Sequence, residues 1–433
     1  MTVDEVLSAG GAGRFQRRLF GIFGLVWTAD AMQVIAVGFA AASMAATFGL
    51  TIPQALQTGT FFFLGMFLGA LIFGRLADRI GRRKVLLVTV AMDAVFGLLS
   101  VFAPSFGILL VLRFLTGMAV GGTLPVDYAM MAEFLPPKNR GRWLVGLEGF
   151  WAVGTVIVAL VAWGATLMGA TEAWRWIFGV AALPALIGIW LRFWIPESPM
   201  YLLKKGREPE ARAVLSQVLA VNGASPMPAQ TRLSLPPAGP ARLFGPELRS
   251  LTLAVGALWF LVSVAYYGVF VWVPGKLVAE GFGFIRGYGF LVIVALAQLP
   301  GYALAAWGVD RWGRRSTLIG FLLLSAAGCA LFTIATSGAL VATSLLVMSF
   351  ALLGTWGALY AFTPELYPTH LRGTGMGGAG AMARLGGLCA PSLVGLLVAQ
   401  SFALAIGAFA GLLLLAALAA YSIRVETRDA SIA

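Results

Sequence analysis

Arg384 is the sole charge in the apolar stretch 373–398, 12 residues past Arg372 and so about 18 Å along a helix at 1.5 Å rise per residue. Gly380, Gly386 and Gly387 leave space beside it. A guanidinium removed from water, with room around it, is suited to gripping a carboxylate with two hydrogen bonds. The competing reading is an arginine tied to backbone carbonyls or to an acid on a neighbouring helix. Asp30 falls at a similar depth, 12 residues past Arg18, on the helical side that presents Trp27 and either Gln33 or Val34. There a carboxylate is a candidate proton carrier, since desolvation penalises its charged form; the alternative is a charge partner for Arg113. Asp127 and Glu148 are further proton-coupling candidates, and Glu148 shares a helix side with Trp151 and Thr155.

Aromatic side chains extend this set. Trp356 and Tyr360 are four residues apart, Trp151 lies in another apolar run, and of the pair Tyr266-Tyr267 one member can face a cavity. Arg384, Trp151, Tyr267, Trp356, Tyr360 and Gln33 are therefore the candidate substrate contacts. One arginine in an aromatic box fits a flat aromatic carboxylate such as nicotinate or a benzoate. Against this, tryptophans often anchor helix ends and mid-helix aromatics often only pack.

Other chemistries find no support. His370, the one histidine, sits in a loop with no carboxylate cluster, so no metal site is expected. Cys329 and Cys389 lie in apolar runs and read as small core residues. No nucleophile–base pair, phosphate-cradling loop or base-reading module is present, so neither an enzyme nor a nucleic-acid partner nor a cofactor is expected, and energy must come from a gradient.

The elements that hold these residues are membrane helices. The chain of 433 residues is 60% hydrophobic and 11% charged, with mean hydropathy +0.89. Twelve stretches are long enough to span the bilayer: 19–45, 54–74, 85–103, 106–134, 143–168, 174–195, 250–273, 287–308, 316–337, 339–363, 373–398 and 401–423. Runs of that length exclude a β-barrel, and the first is too long for a cleavable signal peptide. Of the 30 Lys and Arg, 24 fall on the side that holds both termini. That side is expected to be cytoplasmic, and the formal charge of +12 reflects topology and not nucleic-acid binding.

The chain is also duplicated. Asp78-Arg79-Ile80-Gly81-Arg82-Arg83 returns as Asp310-Arg311-Trp312-Gly313-Arg314-Arg315, and Glu133, Pro136, Arg140 and Gly141 return as Glu365, Pro368, Arg372 and Gly373, all at an offset of 232 residues. Two units are expected, 1–195 and 250–433, joined by a Pro-rich polar linker, 196–249, with a helical opening over 200–219. In a polytopic membrane protein such duplication points to a transporter with its site between the halves. The repeated loops read as a gate. Asp78 and Asp310 sit in Gly-bounded turns, and Glu133, Glu365 and Glu197 are the acidic partners available to Arg79, Arg83, Arg140, Arg311, Arg315 and Arg372. Such a cluster between the halves would hold the cytoplasmic side shut; the bland reading is surface ion pairs worth ~0–1 kcal/mol each.

These motifs carry a resemblance. The loop at 74–83 and its repeat are similar to the signature loops of the major facilitator superfamily, and Arg113, Gly117 and Gly121 resemble that superfamily's fourth-helix motif. Pro196-Glu197-Ser198-Pro199 resembles the sugar-porter and organic-ion branches. Leu124-Pro125-Val126-Asp127, Ala132 to Pro136, Pro364 to Thr369 and Arg372-Gly373 look like the synaptic vesicle glycoprotein 2 branch, which includes niacin permeases and aromatic-acid:proton symporters. The resemblance covers the whole chain. It implies an all-α integral membrane fold of twelve helices in two pseudo-symmetric six-helix bundles, and it sets the aromatics at 151, 267 and 356 where ligand-stacking residues occur. Related proteins often carry an acid where Gln33 stands, a departure that weakens proton coupling there. The implied activity is proton-coupled uptake of a small organic acid by alternating access, with protons, the lipid bilayer and one small molecule as partners. A sugar or organic-cation carrier is the alternative, and a drug:proton antiporter or a transport-like receptor is less favoured. A bacterial inner membrane and a chain functional as a monomer are expected.

Overall fold

The computed structural model describes residues 1–137, 140–228, 230–234, 242–280, 288–368, 371–398 and 401–427, without the side chains of Asp78, Pro125, 141–142, Arg192, 271–280, 288, 372–373, 391–392, 394–396, 398 and 402. Its elements are α1 (Val3–Gly10), α2 (Arg14–Phe48), α3 (Ile52–Ala55), α4 (Gln57–Ile80), α5 (Arg82–Val101), α6 (Phe106–Glu133), α7 (Arg140–Leu167) and α8 (Ala173–Arg192) in the first half. Next come α9 (Pro199–Lys204) and α10 (Glu208–Asn222) in the linker. The second half holds α11 (Arg249–Glu280), α12 (Tyr288–Leu296), α13 (Gln298–Arg311), α14 (Arg314–Thr333), α15 (Gly338–Phe362), α16 (Arg372–Val398) and α17 (Phe402–Ser422).

Each of the twelve predicted stretches is helical, with α12 and α13 sharing the eighth. Among the described residues, eleven spans are long and apolar enough to cross a membrane, and α16 fills the stretch 373–398. Apolar side chains such as Ile72, Val88, Val95, Val111, Ile187 and Leu418 point outward and are half or more exposed. That is the surface a bilayer wets, since lipid is as apolar as the side chains themselves.

The same pairs of helices pack in both halves. α2 lies against α7 and α8 as α11 lies against α16 and α17; α4 lies against α6 as α13 lies against α15; α5 and α8 pair as α14 and α17 do. The halves meet where α4 touches α16, α2 touches α11, and α7 touches α12, α13 and α15. The repeated loop turns at Gly81 (φ 110) and Gly313 (φ 98), a backbone region that side chains with a Cβ avoid. On α6, a Cβ at Gly117 or Gly121 would run into the carbonyl oxygen of Phe62 or Met66, so α4 and α6 touch backbone to backbone.

The linker opens on two helices, α9 and α10, over the expected helical stretch, and the first residues of the chain pack on it. Thr2 and Glu5 form a reciprocal cap on α1. Val3, Val6 and Leu7, fully or almost fully buried, belong to one cluster with Ala211, Leu215, Val218 and Leu219 of α10. Asn222 then accepts from the Phe15 amide at 2.9 Å and donates to Gln16 at 2.8 Å, tying the end of α10 to the start of α2.

Candidate substrate site between the halves

Arg384 lies on α16, 9% exposed. Its Nη1 donates to the Gly380 carbonyl of its own helix at 2.6 Å, and its Nε is buried with no hydrogen-bond partner among the described residues. Gly380 makes room for that geometry, since a Cβ there would stand 2.8 Å from Nη1. The guanidinium is close enough to Tyr360, Tyr267 and Asp30 to interact with each electrostatically. It is thus bonded to backbone, as one reading required, yet keeps donor capacity toward the interior, as the other required.

Around it, aromatic rings from both halves form one connected group. Trp151 on α7 donates from Nε1 to the Tyr266 hydroxyl at 2.6 Å. Tyr266 meets Trp356 edge to face at 5.7 Å between centroids, and Trp356 meets Tyr360 at 5.8 Å. Tyr360 also contacts Trp259 at 4.8 Å, Tyr128 at 5.4 Å and Trp27 at 6.1 Å. Such edge-to-face arrays suit the ring quadrupoles and fix each ring's orientation. Tyr266 and Tyr267 are both buried, where only one was expected to face inward. Tyr267 turns to Phe63 of α4 at 4.6 Å while Tyr266 joins the tryptophans. Phe63, Tyr128, Trp259 and Tyr266 were not among the candidates. For Trp259 and Tyr266 a signal was present in their spacing with Tyr267, about two turns of one helix; Phe63 on α4 and Tyr128 on α6 carried none.

Several polar atoms here lack partners among the described residues: Trp27 Nε1, Trp356 Nε1, the Tyr128 hydroxyl and Glu148 Oε1. Glu148, 3% exposed, interacts electrostatically with Tyr128, Tyr266, Tyr267, Tyr302 and Tyr360. A buried polar atom left unpaired costs about 1–3 kcal/mol, so a concentration of them calls for a functional explanation. Asp30 is buried on α2 near Arg384, and Asp127 is buried on α6 next in sequence to Tyr128.

Gln33 is drawn elsewhere. Arg113 donates from Nη1 to its side-chain oxygen at 2.6 Å and from Nη2 to its backbone carbonyl at 2.7 Å. The same guanidinium stacks between Phe62 at 4.6 Å and Phe178 at 4.5 Å, with Asp93 as its electrostatic partner. This network lies inside the first half, with Arg113 Nε and Gln33 Nε2 left without a hydrogen-bond partner among the described residues. It fits Arg113 as a packed structural charge.

At the cytoplasmic ends the gate candidates fall into two matching sets. Glu197 accepts from the backbone N–H groups of Arg82 and Arg83 at the start of α5, at 3.1 and 3.2 Å. Glu426 does the same for Arg314 and Arg315 at the start of α14, at 2.8 and 3.2 Å. A carboxylate is favoured at a helix N-terminus by the unpaired amides and the helix dipole. Arg82 pairs with Glu133, which also accepts from the Ser198 hydroxyl. In the second half Arg314 pairs with Glu365 at 3.0 Å and lies 3.7 Å from Asp310, and the Thr427 hydroxyl donates to Glu365 at 2.5 Å. Arg83 donates to the Phe193 carbonyl at 3.2 Å, as Arg315 does to that of Tyr421 at 2.7 Å.

Three differences from the sequence expectation follow. Among the described residues, the arginine paired with Glu133 is Arg82 and the one paired with Glu365 is Arg314, each next to a named candidate. Glu426 and Thr427 were not anticipated. And the described bonds lie within the first half together with the start of the linker, which carries Glu197 and Ser198, or within the second half, where a cluster between halves was expected. Arg140 likewise pairs with Asp4 of α1 at 2.7 Å, inside the first half. The side chains of Asp78 and Arg372 lie outside the described residues, as does His370.

The profile of the sugar (and other) transporter family matches residues 50–432. The chain belongs to that family. Its fold is that of the major facilitator superfamily: the proton:xylose symporter XylE superposes with a TM-score of 0.77 over 96% of this chain and 97% of its own, at 18% identity. Among relatives of this family member, NiaP of Bacillus subtilis (strain 168), named for niacin or nicotinamide transport, is 35% identical over 96% of this chain and 97% of its own. The niacin transporter NiaP of Acinetobacter baylyi is 33% identical over 88% and 87%. The synaptic vesicle 2-related protein of Xenopus laevis is 32% identical over 98% and 81%. This chain is a multi-pass membrane transporter of that family.

Proposed function

We propose that this transporter takes up a small aromatic carboxylate together with a proton, by alternating access between the halves 1–195 and 250–433. The observation that carries the reading is Arg384, a buried guanidinium with an unpartnered Nε beside a shell of Trp and Tyr rings from both halves. Arg384 binds the carboxylate; Trp151, Tyr267, Trp356 and Tyr360 enclose the ring. Asp30, close to Arg384, and Glu148, ringed by tyrosine hydroxyls, are the groups that carry or couple the proton, with Asp127 a third candidate. The niacin transporters among its relatives support this substrate class. The asymmetry of basic loops supports cytoplasmic termini in a bacterial inner membrane. The braces around Glu133, Glu197, Glu365 and Glu426, with Asp78 and Arg372 in the same loops, stiffen each half so that the two rock as units.

A second reading has its own observation. Glu148, a buried carboxylate with one unpartnered oxygen near several tyrosines, would suit an organic cation, and Organic cation/carnitine transporter 7 of Arabidopsis thaliana is 29% identical. Uptake of radiolabelled nicotinate and benzoate into proteoliposomes, with and without an inward proton gradient, decides between them. Gradient-stimulated uptake abolished by Arg384→Ala, and uncoupled from the gradient by Glu148→Gln with exchange retained, is the expected result. Uptake of neither acid by folded wild-type protein would sink the carboxylate reading and turn attention to cations and sugars.

A further inference from the structure

The eighth span loses one rung of its helical ladder part-way along. Between α12 and α13, Ala297 keeps helical dihedrals and its N–H bonds the Ile293 carbonyl at 3.1 Å. Pro300, two residues into α13, has no N–H to give the Leu296 carbonyl, so the helical ladder is cut at that point. In a membrane helix such a missing rung is tolerated where neighbouring groups or a cavity take up the freed carbonyl.

Gln298 lies beside that missing rung, two residues before Pro300. Its side chain is fully buried, and neither the amide oxygen nor the amide nitrogen has a hydrogen-bond partner among the described residues. It borders a cavity of about 20 Å³ between the halves, together with Phe39 and Thr155 of the first half and Phe270 and Leu345 of the second. That volume admits a group the size of one water. The cavity adjoins the aromatic shell on two sides. Phe270 packs on Tyr266 at 4.9 Å, and Thr155 is one turn beyond Trp151, whose carbonyl it bonds at 3.1 Å. One turn along α13, Tyr302 packs against Gly357, the neighbour of Trp356.

We infer that Gln298 is a specificity contact for a hydrogen-bonding atom on the substrate ring, remote from the carboxylate that Arg384 holds. The inference rests on the aromatic-carboxylate reading. The amide Nε2–H donates to an unprotonated ring nitrogen, and an all-carbon ring offers nothing in its place. A site with a buried polar group selects against analogues that leave that group unpaired, more sharply than an apolar pocket selects on shape. The substrate class is therefore a heteroaromatic acid, preferred over a benzene-ring acid of the same size.

The test compares KM for nicotinate and benzoate in proteoliposomes for wild type, Gln298→Leu and Gln298→Asn, with thermal stability in detergent measured alongside. Wild type should favour nicotinate by tenfold or more. Gln298→Leu should erase most of that preference by raising the nicotinate KM, with the benzoate KM within about twofold and stability equal to or above wild type, because the substitution removes an unpaired amide. Gln298→Asn, a methylene shorter, should fall between. An unchanged preference in Gln298→Leu, or an equal loss for both acids with lowered stability, would overturn the inference and make Gln298 scaffolding. Equal wild-type uptake of the two acids overturns it too, while leaving the carboxylate reading standing. Uptake of neither overturns both.

Discussion

The indole Nε1 of Trp151 and the hydroxyl of Tyr266 are 2.6 Å apart and buried, on α7 and α11, so this hydrogen bond ties one half to the other in the middle of the aromatic shell. Tyr266→Phe removes the acceptor and strands the indole N–H. The single substitution should destabilise the protein by about 1–3 kcal/mol, while Trp151→Phe added to it should cost less than the sum of the two singles. Thermal unfolding in detergent across the four-protein cycle reads the coupling. Strict additivity would mean that the bond contributes nothing across the interface.

Gln33 offers a different kind of prediction. It satisfies two donors of a buried arginine, at 2.6 and 2.7 Å, one from its side chain and one from its backbone. Gln33→Leu leaves the Arg113 Nη1 donor unpaired among apolar rings and should cost about 1.5–3 kcal/mol of stability. The folded fraction should transport with a KM within about twofold of wild type. A tenfold rise in KM at unchanged stability would instead put Gln33 in contact with substrate.

The matched braces predict matched phenotypes. Glu197→Gln and Glu426→Gln each keep an acceptor at a helix N-terminus but remove the charge, a loss of about 0.3–1 kcal/mol from the helix dipole alone. Transport rates should fall by similar factors in the two variants, with substrate affinity in detergent nearly unchanged. Slowing in Glu197→Gln only would show that the second brace is not the functional equivalent of the first.

What the sequence made legible, and what it hid, follows from how each signal is encoded. The long helices are a matter of run length, so their positions were readable to within several residues. The Arg384 and aromatic group was readable as unusual residues at one depth. Gln33 was misdirected by spacing: at 100° per residue it lies about 120° round the helix from Trp27, far enough to face Arg113 on α6. Arg82 and Arg83 are likewise about 100° apart, and the sequence alone cannot say which of two adjacent arginines meets Glu133. Glu426-Thr427 mirrors Glu197-Ser198 at an offset of 229 rather than 232, and that three-residue slip concealed it from a search at constant spacing. The packing of α1 on α10 was foreshadowed by Thr2, Glu5 and the run Val3, Val6, Leu7, a capped amphipathic turn too short to register as hydrophobic.

The backbone contact between α4 and α6 has a mechanical meaning. With no side chains at Gly117 and Gly121 to slide or re-pack, the two helices cannot shear past one another without a clash of main chains. They form a lever of fixed shape. One arm carries Phe63 against Tyr267; the far ends of the pair carry Gly81 and Glu133 to the Arg82 brace. A molecule that pushes the Phe63 ring aside would therefore tilt the loop about 27 Å away (18 residues at 1.5 Å each) in the same stroke.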